Sequence, residues 1–197
     1  GDRLVGRTHW DLHPEAARAV PDVGNGMQPN VEAVLAQAPD LVLLYASASN
    51  RAATTQLRAA GVMTLTLRTD RVADLARIAP LIAEALGDRG RGVAVADSVA
   101  RTLAAVRARA TSNGPRPRAF WHVWDAPLMT IGGGSYLSEL LEVAGATNVF
   151  GEMAMPSPQV TLEEVVRRDP DLILAGPRGA ATIRAHAIVR TSCMGSR

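Results

Sequence analysis

The sequence predicts an α/β protein built as two similar lobes joined by one long helix, and three observations predict it. Amphipathic helical segments alternate with short apolar runs of strand length. A helix–Pro–Asp–strand unit occurs twice, and an uninterrupted helical stretch separates the two copies. Alternation of this kind builds parallel sheets covered by helices.

Taken in order, residues 29–38 carry Val31, Val34 and Leu35 at helical spacing, and Pro39 stops the helix. The run DLVLLYA (40–46) follows, continuously apolar as in a strand buried on both faces of a parallel sheet. Residues 50–61 read as a helix closed by Gly61, and VMTLTL (62–67) as a strand by its β-branched content. An amphipathic helix over 74–86 ends at Gly87. The long helix is assigned within residues 89–112. There Val95, Val99, Leu103 and Val106 recur at three- and four-residue steps, and the stretch 93–110 alone would reach about 27 Å.

After SNGPRPR a second group opens with the strand candidates AFWHVW and LMTI. Gly132, Gly133 and Gly134 lead into a helix over 135–144, and TLEEVVRRDPDLILAG adds another helix and a buried strand. The expected organisation is an N-terminal lobe over 1–88, the helix over 89–112, a C-terminal lobe over 113–176 and an irregular tail over 177–197. Beyond Asp171 the tail has Arg but neither Asp nor Glu, and only weak periodicity.

Residues 30–45 and 161–176 align without a gap. Glu32 matches Glu163, Val34 matches Val165, Pro39 matches Pro170 and Asp40 matches Asp171. Leu41 with Leu172 and Leu43 with Leu174 continue the match into the strands. A unit repeated on both sides of a long helix points to two kindred lobes.

Composition narrows the function. The 197 residues are 47% hydrophobic and 20% charged, ordinary for a globular protein, and no apolar run approaches the roughly 18 residues of a membrane span. The formal net charge is +2 although the pI is about 9.3. All 21 basic side chains are Arg, scattered singly and often beside an acid, and aromatics are only 4%, which argues against a nucleic-acid surface. Cys193 stands alone, so no internal disulfide or CxxC site is available. The chain opens on Gly1 with no leader pattern, as expected of a segment from a longer, processed precursor.

Three groups of residues could carry chemistry. His9, Asp11 and His13 alternate in THWDLHP and could face one side of an extended segment, but a metal site needs further ligands, and solvated turn residues are the simpler expectation. The Gly132–Gly134 loop could present N–H groups to an anion, as in a small doubly wound enzyme or a nucleotide or sugar-phosphate binder; it lacks both the GxGxxG spacing and a Gly-Lys-Ser/Thr ending. No GxSxG elbow is present. The third group is aromatic. Trp10, Tyr45, Trp121 and Trp124 fall at or just after predicted strand ends, the edge where open α/β sheets bind ligands. Trp121 and Trp124 alternate imperfectly, so one of them is expected to face inward.

Together, LVGRTHWDLHPEA with VGNGMQPNVEAVLAQAPDLVLLY, and APLMTIGGGSYLSELLEVAGATNVF with PSPQVTLEEVVRRDPDLILAG, resemble the two lobes of the helical-backbone (class III) periplasmic binding proteins. That class includes the vitamin B12- and siderophore-binding proteins of ABC importers. The resemblance runs over 2–176 in consistent order. It implies Rossmann-like lobes joined by one rigid helix, with the ligand in the cleft between them. It implies no catalytic residue, no cofactor and no metal centre of the protein's own; the cargo would be a cobalamin-like corrinoid or a ferric chelate such as a siderophore or heme. Glu32 and Glu163 occupy the positions that dock on Arg pockets of the membrane permease. Trp10 and Tyr45 match cleft-lining aromatic positions. Val123, Met129 and Ser157 stand where the vitamin B12 binders carry aromatics, and the Gly24–Gly26 loop lacks one as well. Trp124 could compensate from an adjacent position, and Met129 keeps a place in the expected wall. The resemblance further implies a monomer in the periplasm or anchored outside the cytoplasmic membrane, with no nucleic-acid partner. The class pattern carries further elements before Gly1 and after Gly176, so an incomplete domain is expected.

Overall fold

The repeated helix–Pro–Asp–strand unit appears twice as real structure, each copy with the same local devices. The computed structural model describes residues 3–110 and 114–176; the expectation for the tail over 177–197 lies outside them. In the first copy Asn30 caps α1 (Val31–Ala36) by accepting from the Ala33 N–H, and β3 (Leu41–Tyr45) follows. In the second, Thr161 caps α6 (Leu162–Arg168) and β7 (Leu172–Ala175) follows. Both helices end in a left-handed residue directly before the proline, Ala38 at φ 47° and Asp169 at φ 43°. The proline ring disfavours a helical residue before it, so the chain turns out of the helix at the same step in each copy. Val34 and Val165, paired in the alignment, are both buried.

The chain divides into two compact units, Gly1–Thr69 and Asp70–Arg197. In the first, a 3-10 turn over Glu15–Ala19 precedes a small antiparallel hairpin, β1 (Gly24–Asn25) with β2 (Gln28–Pro29). The Asn25 carboxamide oxygen closes the tip by accepting from the N–H groups of Met27 and Gln28. Strand β3 then pairs in parallel with β4 (Met63–Leu67) through the crossover helix α2 (Arg51–Ala59). Gly61, at φ +82°, lies just past the end of α2, a conformation glycine adopts without a Cβ penalty. Val34, Leu44 and Leu57 form the core here, with Val23, Val31, Leu35, Val42 and Val62 around them. It lies on one face of the β3–β4 pair.

The second unit opens with α3 (Asp74–Ala85) and the long helix α4 (Arg89–Ala110), 22 residues or about 33 Å. These two helices pack at close range because Gly92 has no side chain: a Cβ there would fall 2.4 Å from the Ala79 carbonyl oxygen. The sequence places the first lobe's boundary at 88. Contacts gather α3 onto α4, and the Arg71–Val72 segment binds Glu139, so the division falls instead at Thr69/Asp70.

A three-stranded parallel sheet completes the unit: β5 (Arg118–His122) lies between β6 (Thr147–Asn148) and β7. Helix α5 (Tyr136–Val143) supplies Leu141 to the core around Ala119 and Ile131, which Trp121 and Leu174 flank. Helix α6 supplies Val165 to a separate core with Phe120, Val149, Phe150 and Val160, flanked by Ile173. Both faces of this sheet are therefore covered. The continuously apolar run over 40–46, expected to be buried on both faces, is not: Leu43 on β3 is 48% exposed, because the described core packs on one side of the β3–β4 pair only. LMTI does not form the expected strand. Met129 makes isolated bridges to Trp124 and Gln159 only, and the Thr130 N–H turns to the Pro158 carbonyl.

Candidate functional site

In the first unit, Trp10 stands on the loop before the 3-10 turn and is 57% exposed, its ring tilted against His9 at a centroid distance of 4.5 Å. Tyr45 is the last residue of β3 and is half-buried. Backbone hydrogen bonds zip the Trp10 segment to the strand edge: Arg7 N–H to Pro21, Val23 N–H to Arg7, and His9 N–H to Gly24. Asn50, 1% exposed, then ties the hairpin tip to the end of β3, its amide donating to the carbonyls of Gly26 (2.9 Å) and Tyr45 (3.0 Å). Trp10 and Tyr45, far apart in sequence, thus belong to one hydrogen-bonded frame.

In the second unit, Trp124 and Met129 are brought together directly. The Met129 N–H donates to the Trp124 carbonyl at 2.9 Å, and the Val123 N–H donates to the Met129 carbonyl at 2.9 Å. Trp124 is 48% exposed just past the end of β5, whereas Trp121, three residues before it within β5, packs on the α5-side core. One of the pair faces inward, as expected. The turn carrying Trp124 is held by a pair the sequence reading missed: buried His122 is bonded through Nε2 to Asp125 Oδ1 at 2.9 Å. Its signal was the i, i+3 spacing of His122 and Asp125 at a strand end. Buried Asn148 was missed as well; it donates to the Ile131 carbonyl and Ser138 Oγ and accepts from the Phe150 N–H, stitching β6 to α5.

The metal-like triplet is occupied otherwise. Asp11 Oδ2 accepts from Thr8 N–H at 2.9 Å and Thr8 Oγ1 at 2.7 Å, closing a turn. Among the described residues no three His, Cys, Asp or Glu side chains gather as metal ligands.

The glycine loop has a structural reason. A Cβ on Gly132, Gly133 or Gly134 would lie 2.1 Å from the carbonyl oxygen of Met155, Gly151 or Ala154 respectively. The N–H groups of Gly132 and Gly133 donate to Pro156 (3.1 Å) and Met153 (2.8 Å). Donors spent on the neighbouring loop cannot cradle a phosphate, so the nucleotide or sugar-phosphate reading of this loop is corrected. Three glycines stand together because a second backbone segment lies against them.

Glu32 and Glu163 both occupy the first turn of their helices, α1 and α6, and both are exposed. A carboxylate there is favoured by the helix dipole. The two copies differ in one respect: Glu164 closes a capping box with Thr161, accepting from its backbone N–H at 2.7 Å. That bond, then the Thr161 hydroxyl, holds the Glu164 carboxyl below its ordinary value of 4.5. Its neighbour Glu163 takes no part in the box.

The chain belongs to the periplasmic binding protein family, whose model matches residues 1–190. Within it, the sequence and fold fall in the helical-backbone class, class III, a class of binding proteins rather than enzymes. A vitamin B12-binding protein of Vibrio vulnificus is 27% identical over 177 residues, covering 90% of this chain and 64% of the relative. The chain thus spans just under two thirds of that relative's length. The solved periplasmic vitamin B12-binding protein of Vibrio cholerae superposes with a TM-score of 0.79 at 24% identity, covering 96% of this chain and 75% of that one. A periplasmic heme-binding protein in complex with two hemes gives 0.81 at 26% identity, covering 94% and 71%.

Proposed function

We propose that this protein is the substrate-binding component of an ABC importer working outside the cytoplasmic membrane, and that its cargo is a metal-bearing macrocycle, a cobalamin-like corrinoid or heme. The observation that carries the reading is the pair of tryptophans left largely exposed, Trp10 at 57% on the loop before the 3-10 turn and Trp124 at 48% just past the end of β5. Each is held by hydrogen-bonded backbone rather than by a core. Large rings on fixed frames suit a broad, partly apolar ligand, because they bury much area at little entropy cost. Tyr45 and Met129 stand beside them as further contacts. The named relatives bind vitamin B12 or heme, which supports the same ligand class.

Titration of the chain with cyanocobalamin, hemin and a ferric hydroxamate, read by tryptophan fluorescence, tests this. Saturable quenching by a macrocycle is expected, and Trp10→Ala and Trp124→Ala should each weaken it about tenfold or more, the scale of losing a buried aromatic anchor. Saturable binding of the hydroxamate alone would replace the macrocycle with a siderophore. Binding of none of the three would overturn the reading.

Permease docking through Glu32 and Glu163 rests on their equivalence in the repeat and their exposure on first turns. Charges at a rim act chiefly on encounter rate and orientation. Glu32→Arg with Glu163→Arg should abolish stimulation of a reconstituted transporter's ATPase while cargo affinity is kept. Undiminished stimulation would remove the docking assignment.

A further inference from the structure

Asn50 stands at the N-cap position of α2, where an Asn normally turns its carboxamide oxygen onto the helix's first N–H groups. Here it makes no such cap. Its side chain is turned away from the helix and buried, with Nδ2 donating to the Gly26 carbonyl at 2.9 Å and the Tyr45 carbonyl at 3.0 Å. The assignment of nitrogen and oxygen follows from chemistry, since two carbonyl acceptors require a group with two donors. The Oδ1 atom is buried with no hydrogen-bond partner. A capping role has been given up and a buried acceptor left unsatisfied, both of which cost stability. Against those two costs stand the two amide hydrogen bonds, which join segments 24 and 5 residues away from Asn50.

They hold the ligand-facing edge. Tyr45 ends β3, and Gly26 is the tip of the β1–β2 hairpin. Thr8 lies beside that tip, its Cγ2 3.6 Å from where a Gly26 Cβ would stand, and His9 donates to Gly24 in the same hairpin. The connection runs from Tyr45 through Asn50 to the hairpin, and from the hairpin to the segment bearing Trp10. We infer that Asn50 is a positioning residue for cargo binding: its amide sets the Tyr45 end of β3 and the Trp10 loop in register as one preorganised aromatic edge. This rests on the binding reading above. Few other side chains would serve. Asp at this position keeps the shape but offers only acceptors to two carbonyls, Ser offers one donor, and Leu offers none.

The test uses the full 197-residue chain with Asn50→Asp and Asn50→Ser, and Thr54→Ala as a control. Thr54 bonds the Asn50 backbone carbonyl through Oγ1 at 2.8 Å, so it perturbs the helix start without touching the amide bridge. Two readouts are taken well below each variant's melting temperature: affinity for cyanocobalamin and hemin, and steady-state anisotropy of Trp10 with Trp121→Phe and Trp124→Phe in the background. Asn50→Asp should lower affinity tenfold or more and lower the Trp10 anisotropy, Asn50→Ser should fall between, and Thr54→Ala should lower only the melting temperature. Unchanged affinity and anisotropy in a folded Asn50→Asp chain would overturn the inference. So would failure of both Asn50 variants to fold, which would make the residue purely structural. If the unsubstituted chain binds neither probe, the cargo reading is what has failed, and the anisotropy then decides Asn50 by itself: a drop supports the frame, and no change refutes it.

Discussion

The two copies of the helix–Pro–Asp–strand unit share sequence and local geometry, yet their strands live in different surroundings. Leu43 and Leu174 are identical residues at equivalent positions. Leu174 packs on the core that α5 lays over the second sheet, whereas Leu43 is 48% exposed on β3. On the other face the copies agree: Val42 and Ile173 both pack on a core that includes their own helix, through Val34 and Val165. Burial on the near face is thus a property of the repeat itself, fixed by the short reach from helix to strand. Burial on the far face belongs to whichever element the rest of the chain places there. The second unit has α5, locked in place by the glycine loop in front of it.

The largest test of this contrast strikes that lock. Gly133→Ala puts a methyl group against the Gly151 carbonyl oxygen, at 2.1 Å before relaxation, with backbone on both sides. We expect a loss of about 3 kcal/mol or more in denaturant unfolding. A loss under about 1 kcal/mol would mean that the 151–156 segment yields easily and that α5 is not held through it.

Truncating the equivalent leucines sharpens the comparison. Leu174→Ala should cost about 2 kcal/mol, as partial removal of a core contact does, and Leu43→Ala about 1 kcal/mol or less. Equal losses would show that the far face of β3 is covered as well as that of β7.

The smallest effects lie at the helix starts. Asn30→Ala and Thr161→Ala should each cost about 1 kcal/mol, but only the second should be pH-dependent. The folded Glu164 carboxyl is held below 4.5, so between its folded value and 4.5 the unfolded chain binds more protons and stability rises with pH. The contribution is complete above 4.5 and lost as pH falls through the folded value. Glu164→Gln should flatten that acid limb, measured by melting temperature from neutral pH to pH 3; an unaltered limb would assign it to another carboxylate, with Glu152, lowered by its bond from Arg168, the next candidate.

Much of the architecture was legible because local chemistry decides it. Periodicity placed α3 from Asp74 and the long helix within 89–112, Gly61 and Pro39 ended their helices, and the alignment of 30–45 with 161–176 anticipated the repeated helix–Pro–Asp–strand unit, to which the structure adds two N-caps and two left-handed exits before proline. Strand LMTI was misread because apolar content cannot show whether a partner strand lies alongside. Tyr45 and Trp124 were legible as residues at or just past strand ends, whereas Trp10 falls on a loop. Asn50 was hidden because an Asn before a helix reads as a cap, and His122 offered only its i, i+3 spacing to Asp125.

By itself, then, the sequence determined the alternation of elements, the repeat, the helix termini and the family. These depend on residues within a few positions of one another, or on patterns that tolerate distant change. Only the tertiary structure decided that the glycine loop spends its N–H groups on its neighbour, that identical leucines differ in burial, and that α3 joins the second unit. Each of those outcomes depends on which backbone or helix arrives from elsewhere in the chain, and close packing and hydrogen-bond saturation are settled by that arrival.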